Sequence, residues 1–273
     1  MDIPQPAPLE AEPAILESAM DAAWPALERQ DAGGWVLRAA AGVTQRANSI
    51  WPRAHTAGQS ANDLRGLLRD ARAWYRSRRL PVIFQLFDGP AAADLHGLLD
   101  AEGFTRQSQT LVMTRSATQV PGPAATRGTP PVELSPEPSE DWLQVWWQVD
   151  GRGGDDAPAV ARKILEGCPS VYALVRDNDG RPAAVGRLAL PAGSNQGGLY
   201  CMATLPEVRR RGLASAILES LLRAGNHRGV TGFWLLVTAA NHGAQALYAK
   251  SGFQEAGRYL YRQERPRRAP TGC

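Results

Sequence analysis

The chain has 273 residues, 44% of them hydrophobic and eight of them tryptophan, enough for two cores. Its 30 basic and 27 acidic side chains leave a net charge of +3, which gives no reason to expect a nucleic-acid partner. Three unclustered cysteines (Cys168, Cys201, Cys273) imply neither a disulfide framework nor a metal site, and no basic leader or membrane-length apolar run is present, so the expectation is a cytoplasmic protein without a membrane partner.

In chain order, a proline-bearing arm at 4–8 precedes a helix expected over 10–28, with Ile15, Ala19, Ala22 and Ala23 on one side. Gly33-Gly34 breaks the chain before a strand at Trp35–Arg38, and a second strand is expected from Thr44 to Trp51, ended by Pro52. A helix over 61–78, a strand at Val82–Leu86, a helix over 95–104 closed by Gly103-Phe104 and a strand at Leu111–Met113 complete this half. The Pro- and Gly-rich stretch 119–130 reads as an extended linker between residues 1–118 and 131–263, and 264–273 as a solvated tail.

The second half opens with a strand at Val132–Leu134 and a helix from 139 to 149 bearing Trp142, Trp146 and Val149 on one face. A polar loop with Gly151, Gly153, Gly154, Asp155 and Asp156 follows, then a helix over 157–165. The strands at 170–176 and 182–190 are joined by Asp177-Asn178-Asp179-Gly180, a strong hairpin signal. A strand ending at Met202-Ala203-Thr204 then hands over, through Pro206, to a helix in which Leu213, Ile217 and Leu221 form an apolar stripe. The last elements are a strand at Phe233–Val237, a helix after Asn241 and a strand at Arg258–Arg262.

The junction at 209–215 carries the chemistry. The first amides of a helix have no intrahelical acceptor, and the macrodipole makes that end electropositive. Gly212 and Ala214 leave the backbone approachable, Arg209, Arg210 and Arg211 add charge, and Ser215 adds a hydroxyl, so this start is a cradle for a diphosphate. It is not a nucleoside-triphosphate loop, because Leu213-Ala214 stands where Lys-Ser or Lys-Thr is required. Nor is it a dinucleotide fingerprint, which needs three spaced glycines and a later acidic residue.

Arg209-Arg210-Arg211-Gly212-Leu213-Ala214 is similar to the Arg/Gln-x-x-Gly-x-Gly/Ala signature of the GCN5-related N-acetyltransferases (GNAT superfamily). The later run Asn241-x-x-Ala244-x-x-Leu247-Tyr248-x-x-x-Gly252-Phe253 matches that family's second block at each fixed position. The resemblance covers about 131–262. It implies an α/β (α+β) fold with a mixed, mostly antiparallel sheet flanked by helices, and acetyl-CoA as co-substrate with no metal. The strand ending in Met202, Ala203 and Thr204 would part from its neighbour and pair with the pantetheine arm. Arg209, Arg210, Arg211, Gly212, Leu213, Ala214 and Ser215 would hold the pyrophosphate, Asn241 would face the pantetheine, and Tyr248 would be the general acid. The acceptor would be a primary amine on a small molecule or peptide. No Glu or Asp lies on the strand at 200–204, so candidates for the base are Asp150, Asp155, Asp156, His242 or a residue of the first half acting through water, and a water relay or an amine that binds already neutral stands equally open. A non-catalytic acyl-CoA-binding regulatory module is the alternative.

The first half repeats the order strand-Pro, helix, strand, helix-Gly-Phe, strand at similar spacing. With Gly42–Ser49 it resembles bacterial two-domain members whose N-terminal GNAT-like domain is degenerate. Its turn at 53–59 lacks the glycine signature, and no tyrosine precedes Gly103, so a cofactor site is not expected there. An unrelated α/β domain stays open, because helix-Gly-Phe is a common way to close a helix.

Overall fold

The computed structural model describes residues 13–53, 60–89, 92–117 and 131–265. The linker expected at 119–130 and the tail beyond 265 lie outside these residues. In chain order the elements are α1 (Pro13–Ala23), β1 (Glu28–Ala32), β2 (Trp35–Ala39), β3 (Trp51–Pro52), α2 (Ala61–Ser77), β4 (Ile83–Phe87), α3 (Ala92–Ala101) and β5 (Thr105–Ser116). They continue as β6 (Val132–Ser135), α4 (Glu140–Asp150), α5 (Ala157–Glu166), β7 (Ser170–Arg176), β8 (Pro182–Ala189), β9 (Gln196–Thr204), a 3-10 turn at Pro206–Val208, α6 (Leu213–Asn226), β10 (Gly232–Thr238), α7 (His242–Lys250) and β11 (Gln254–Gln263).

Two compact units emerge, and neither is continuous in sequence. One combines Met1–Pro25 with Leu111–Ala256; the other combines Ala26–Thr110 with Gly257–Cys273. The expected division into 1–118 and 131–263 follows the chain, whereas these units exchange segments, so α1 groups with the second half.

In the first unit the sheet order runs from the Leu111–Ser116 end of β5 through β10, β9, β8 and β7 to β6. β10 and β9 are parallel, and β9 to β6 are antiparallel throughout. Because side chains alternate along a strand, the two faces carry different chemistry. One face is an aliphatic core in which Ile217, Leu218, Leu221 and Leu222 of α6 pack on Val171, Ala173, Leu188, Leu199 and Phe233. The other face is aromatic: Trp142 of α4 meets Tyr172 edge-on at 5.1 Å, and Trp24 lies 5.4 Å from Tyr200 and 6.4 Å from Trp146. Arg187 is fully buried there and forms no ion pair among the described residues. It donates to Ser170 Oγ and to the carbonyls of Ala23 and Leu165 at 2.9–3.0 Å, and the rings of Trp24, Tyr172 and Tyr200 surround it at 5.7–5.9 Å. Carbonyl dipoles and ring faces thus replace the water that a guanidinium loses on burial.

In the second unit β1, β2 and β3 form an antiparallel sheet, and β4 pairs antiparallel with the Tyr259–Gln263 part of β11. A parallel bridge from Ile50 to Phe84 joins the two sheets. Leu64, Leu68, Ala71 and Tyr75 of α2 and Leu95, Leu98 and Leu99 of α3 close over Trp35, Phe84 and Phe104.

Two sequence expectations need correction. The helix expected over 10–28 stops at Ala23, because the residue before Pro25 is pushed out of the helical region, and β1 follows it. β1 (Glu-Arg-Gln-Asp-Ala) is an exposed edge strand with no apolar alternation to announce it. The strand expected from Thr44 to Trp51 is mostly a looped turn. Asn48 Oδ1 accepts from the amides of Ala40 and Gly42, and its Nδ2 donates to the carbonyls of Val43 and Thr44. One side chain supplies the bonds that a strand neighbour would have given, and Ala41 and Thr44 take positive φ of 49° and 61° to fit around it.

Candidate active site

α6 starts without a side-chain cap. Its N-cap, Gly212, sits at φ 80°, ψ 0°, and the first intrahelical bond is Ala216 N–H to the Gly212 carbonyl at 3.1 Å. The amides of Leu213, Ala214 and Ser215 therefore lie ahead of any intrahelical acceptor. A Cβ on Gly212 would meet nothing within 4 Å, so glycine is needed for its left-handed backbone and not for room. Arg210 is left-handed as well, at φ 63°. Arg209 Nε folds back onto the Thr204 carbonyl at 3.1 Å, and Arg211 leans on the Glu207 carbonyl at 3.4 Å. All three arginines are exposed. The cradle fits a diphosphate: open amides, a dipole end and three cations.

β9 leads into this cradle and parts from β10 on the way. The parallel ladder covers Gly232–Leu235 against Gln196–Leu199, whereas β8 stays paired with β9 as far as Thr204. Trp234 sits at the fork, packed over Gly198, where a Cβ would come within 2.5 Å of its ring, and its indole donates to Tyr200 Oη at 3.1 Å. Just beyond, the β8–β9 register shifts between Val185 and Arg187, and Cys201 adopts φ 54°. Two residues of β9 thus oppose Gly186, a bulge that re-aims the strand. Gly186 cannot carry a side chain, since its Cβ would meet Ile217 at 2.5 Å and Met202 Sδ at 2.7 Å, and its carbonyl accepts from Trp142 Nε1 at 3.1 Å. This junction anchors α4 to the fork. The free strand groups expected at Met202–Thr204 need one correction: the Thr204 carbonyl is already engaged by Arg209.

α7 brings in the rest. Asn241 Oδ1 caps the helix by accepting from Ala244 N at 3.1 Å. Gln245 Nε2 holds the carbonyls of Thr238 and Ala239 at 3.0 and 2.9 Å, fixing the end of β10. Tyr248 is 7% exposed, beside Phe253 at 6.2 Å, and its hydroxyl makes no hydrogen bond among the described residues. Burial pushes its phenol up to about 12, and the negative charge of Asp150 adds to the effect. Asp150 closes α4 and sits on the surface. Desolvation by the surrounding protein raises its pKa, opposed by Arg152 and Arg209. Asp150 thus feels the charge of Arg209 and in turn acts on Tyr248, linking the end of α4 to the turn before α6 and to α7.

Of the four candidate bases, Asp150 is the one whose charge reaches Tyr248. Asp155, Asp156 and His242 are exposed on the loop before α5 and in the first turn of α7. Sequence reasoning missed the bulge at Cys201 and the placement of Trp24 against Tyr200; a non-glycine at positive φ and a contact between distant positions leave no local pattern. No helix is long and apolar enough to cross a membrane among the described residues.

A family model described as "Probable histone acetyltransferase Rv0428c C-terminal" matches residues 11–262. The chain is 26% identical over 251 residues to the "Uncharacterized N-acetyltransferase YobR" of Bacillus subtilis (strain 168), covering 92% of this chain and 98% of that protein. It is 31% identical over 228 residues to the "Probable histone acetyltransferase Rv0428c" of Mycobacterium tuberculosis (strain ATCC 25618 / H37Rv), covering 79% of this chain but 63% of that one. Among solved structures, a GCN5-related N-acetyltransferase from Kribbella flavida superposes with a TM-score of 0.66 at 18% identity, over 93% of this chain and 95% of that one. Cradle, fork and the match over almost the whole length agree: the chain belongs to the Rv0428c C-terminal family, and it is an N-acetyltransferase of the GCN5-related fold.

Proposed function

We propose that the chain transfers the acetyl group of acetyl-CoA directly to a primary amine on a small molecule or peptide. One observation carries this: α6 begins at a left-handed glycine with no side chain closing its amides, at the end of a strand that has parted from its neighbour. The 209–215 backbone and its arginines would hold the diphosphate. The Met202 and Ala203 backbone would receive the extended arm as an added strand, and Asn241 would offer its amide nitrogen beside it.

Asp150 then accepts the proton of the incoming amine, for which a raised carboxylate pKa is suited. The amine nitrogen bonds to the acetyl carbon, the carbon–sulfur bond breaks, and Tyr248 gives its phenolic proton to the sulfur. The two groups are coupled. While Asp150 is ionised its charge helps Tyr248 keep the proton; once Asp150 is protonated that hold lapses and the phenol becomes the better acid. Asp150 also weakens the alternative of a module that binds the carrier without turnover, which rested on the lack of a carboxylate near the strand. We read the second unit as a degenerate copy of the same fold. α3 and α7 close with the same bonds, Phe104 N–H to Leu99 and Phe253 N–H to Tyr248, each after a glycine at φ near 80°.

The test is thiol release on mixing the protein with acetyl-CoA and a panel of small and peptide amines. Release with at least one amine is expected. Tight binding of CoA with no release across the panel would sink the reading.

A further inference from the structure

Four helices of the described chain end with the same pair of backbone bonds. In α3, α6 and α7 the left-handed residue is Gly103, Gly229 or Gly252, at φ 77–84°, and the following amide reaches back to Leu99, Gly225 or Tyr248. α2 ends the same way, with Leu80 N–H to the Tyr75 carbonyl at 3.1 Å and Arg79 N–H to Arg76 at 3.0 Å, but its left-handed residue is Arg79, at φ 57°. A side chain there is strained where glycine is not. The chain uses glycine at three such ends and an arginine at the fourth.

That arginine lines a cavity of about 520 Å³ together with Arg72, Arg76, Arg265, Pro81 and Glu264. Glu264 is the carboxylate of this lining, and Arg72 takes it at 2.8 Å while also binding Glu102 at 2.8 Å. Arg76, Arg79 and Arg265 are exposed and form no ion pair among the described residues, so three arginines border the space uncompensated. Guanidinium forks match phosphoryl oxygens, and three positive charges exceed what a single carboxylate would balance. The volume exceeds that of a bare diphosphate and leaves an apolar floor of Leu80, Pro81 and Val82 for an organic part.

We propose that this cavity of the second unit binds a small ligand carrying a di- or polyphosphate group, at a site separate from the α6 cradle. The rival explanation is that basic residues at the end of α2 compensate its dipole. The two differ in what Arg79 is for.

Calorimetry at low salt would use inorganic pyrophosphate and ATP as probes and citrate as a carboxylate control. The Gly212→Val chain disables the cradle. In it, pyrophosphate or ATP is expected to bind at one site, at least tenfold tighter than citrate, and more weakly as salt rises. Tighter binding of ATP than of pyrophosphate identifies a nucleotide as the source, and the reverse identifies a free polyphosphate. Adding Arg76→Ala, Arg79→Gly and Arg265→Ala should weaken the phosphate probes at least tenfold. Should Gly212→Val fail to fold, stoichiometry serves: two pyrophosphates per wild-type chain, one per triple variant. Arg79→Gly alone should bind more weakly and unfold at the same temperature as wild type or above it. Citrate binding as tightly as pyrophosphate, a triple variant with unchanged affinity, or a lower unfolding temperature for Arg79→Gly would each overturn the proposal.

Discussion

The helices α6 and α2 open in opposite ways. α6 starts at Gly212 with its first amides uncovered and three arginines alongside. α2 starts at Ser60, whose side chain accepts from Asp63 N at 3.2 Å while Asp63 Oδ2 accepts from Ser60 N at 3.2 Å and from Ser60 Oγ at 2.6 Å. This capping box satisfies the amides internally and puts a carboxylate where an anion would have to sit. The later helices differ too: the carbonyl that accepts from Phe253 belongs to Tyr248, and the one that accepts from Phe104 belongs to Leu99. The start of α6 thus leaves its first amides uncovered, whereas the start of α2 covers its own.

The largest expected effect attacks the tyrosine. Tyr248→Phe should lower kcat by about 10²–10⁴-fold while CoA binding persists, measured by thiol release and calorimetry. Unchanged turnover would erase the difference between α7 and α3. Asp150→Asn should slow transfer by about 10²-fold and remove the acid limb of the rate profile. In the native chain the rate should fall as pH drops through the raised pKa of Asp150, because a protonated carboxyl could not accept the amine proton. The stability effect has the opposite sign. A carboxyl raised by folding is a net cost above its folded pKa, lessened as pH falls through it, so Asp150→Asn should melt no lower than the native chain near neutrality.

Gly212→Val strains the left-handed cap and should weaken CoA by roughly ten- to a hundredfold, the free energy of one forced residue. Circular dichroism should stay native, since its Cβ meets nothing within 4 Å. The smallest effect comes from the other side. Ser60→Ala should cost about 1 kcal/mol of stability in a denaturant titration and leave CoA affinity untouched. A change in CoA affinity would show that α2 takes part in binding after all.

The cradle and α7 were legible because they depend on residues with backbone duties: a glycine that alone tolerates φ 80°, and an asparagine whose oxygen caps a helix. Core strands such as β7 and β8 were legible through their apolar runs and the turn between them. β1 was hidden, because an edge strand of charged residues has no burial pattern. The 40–50 loop was hidden as well, since a single asparagine side chain outweighed the strand tendency of its neighbours. Asp150 could be named as a candidate but not chosen, because its charge acts on Tyr248 across ninety-odd residues of intervening chain. Short spacings report local geometry; they do not report which distant side chains meet.

The exchange of segments between units bears on how the molecule can be dissected. Arg187 donates to the carbonyl of Ala23 across a separation of 164 positions, and β10 takes the Leu111–Ser116 end of β5 as its neighbour. A fragment cut at the linker and starting near 131 would carry every acetyltransferase motif and still leave a buried guanidinium short of an acceptor and a central strand with a bare edge. Such a fragment should aggregate on expression, whereas the same piece with residues 13–25 and 105–117 restored in trans or by circular permutation should recover solubility. During synthesis the earliest helix must likewise wait for most of the polypeptide to emerge before its partner exists, so acquisition of the native state is set by long-range closure and should be slow for a chain of this size.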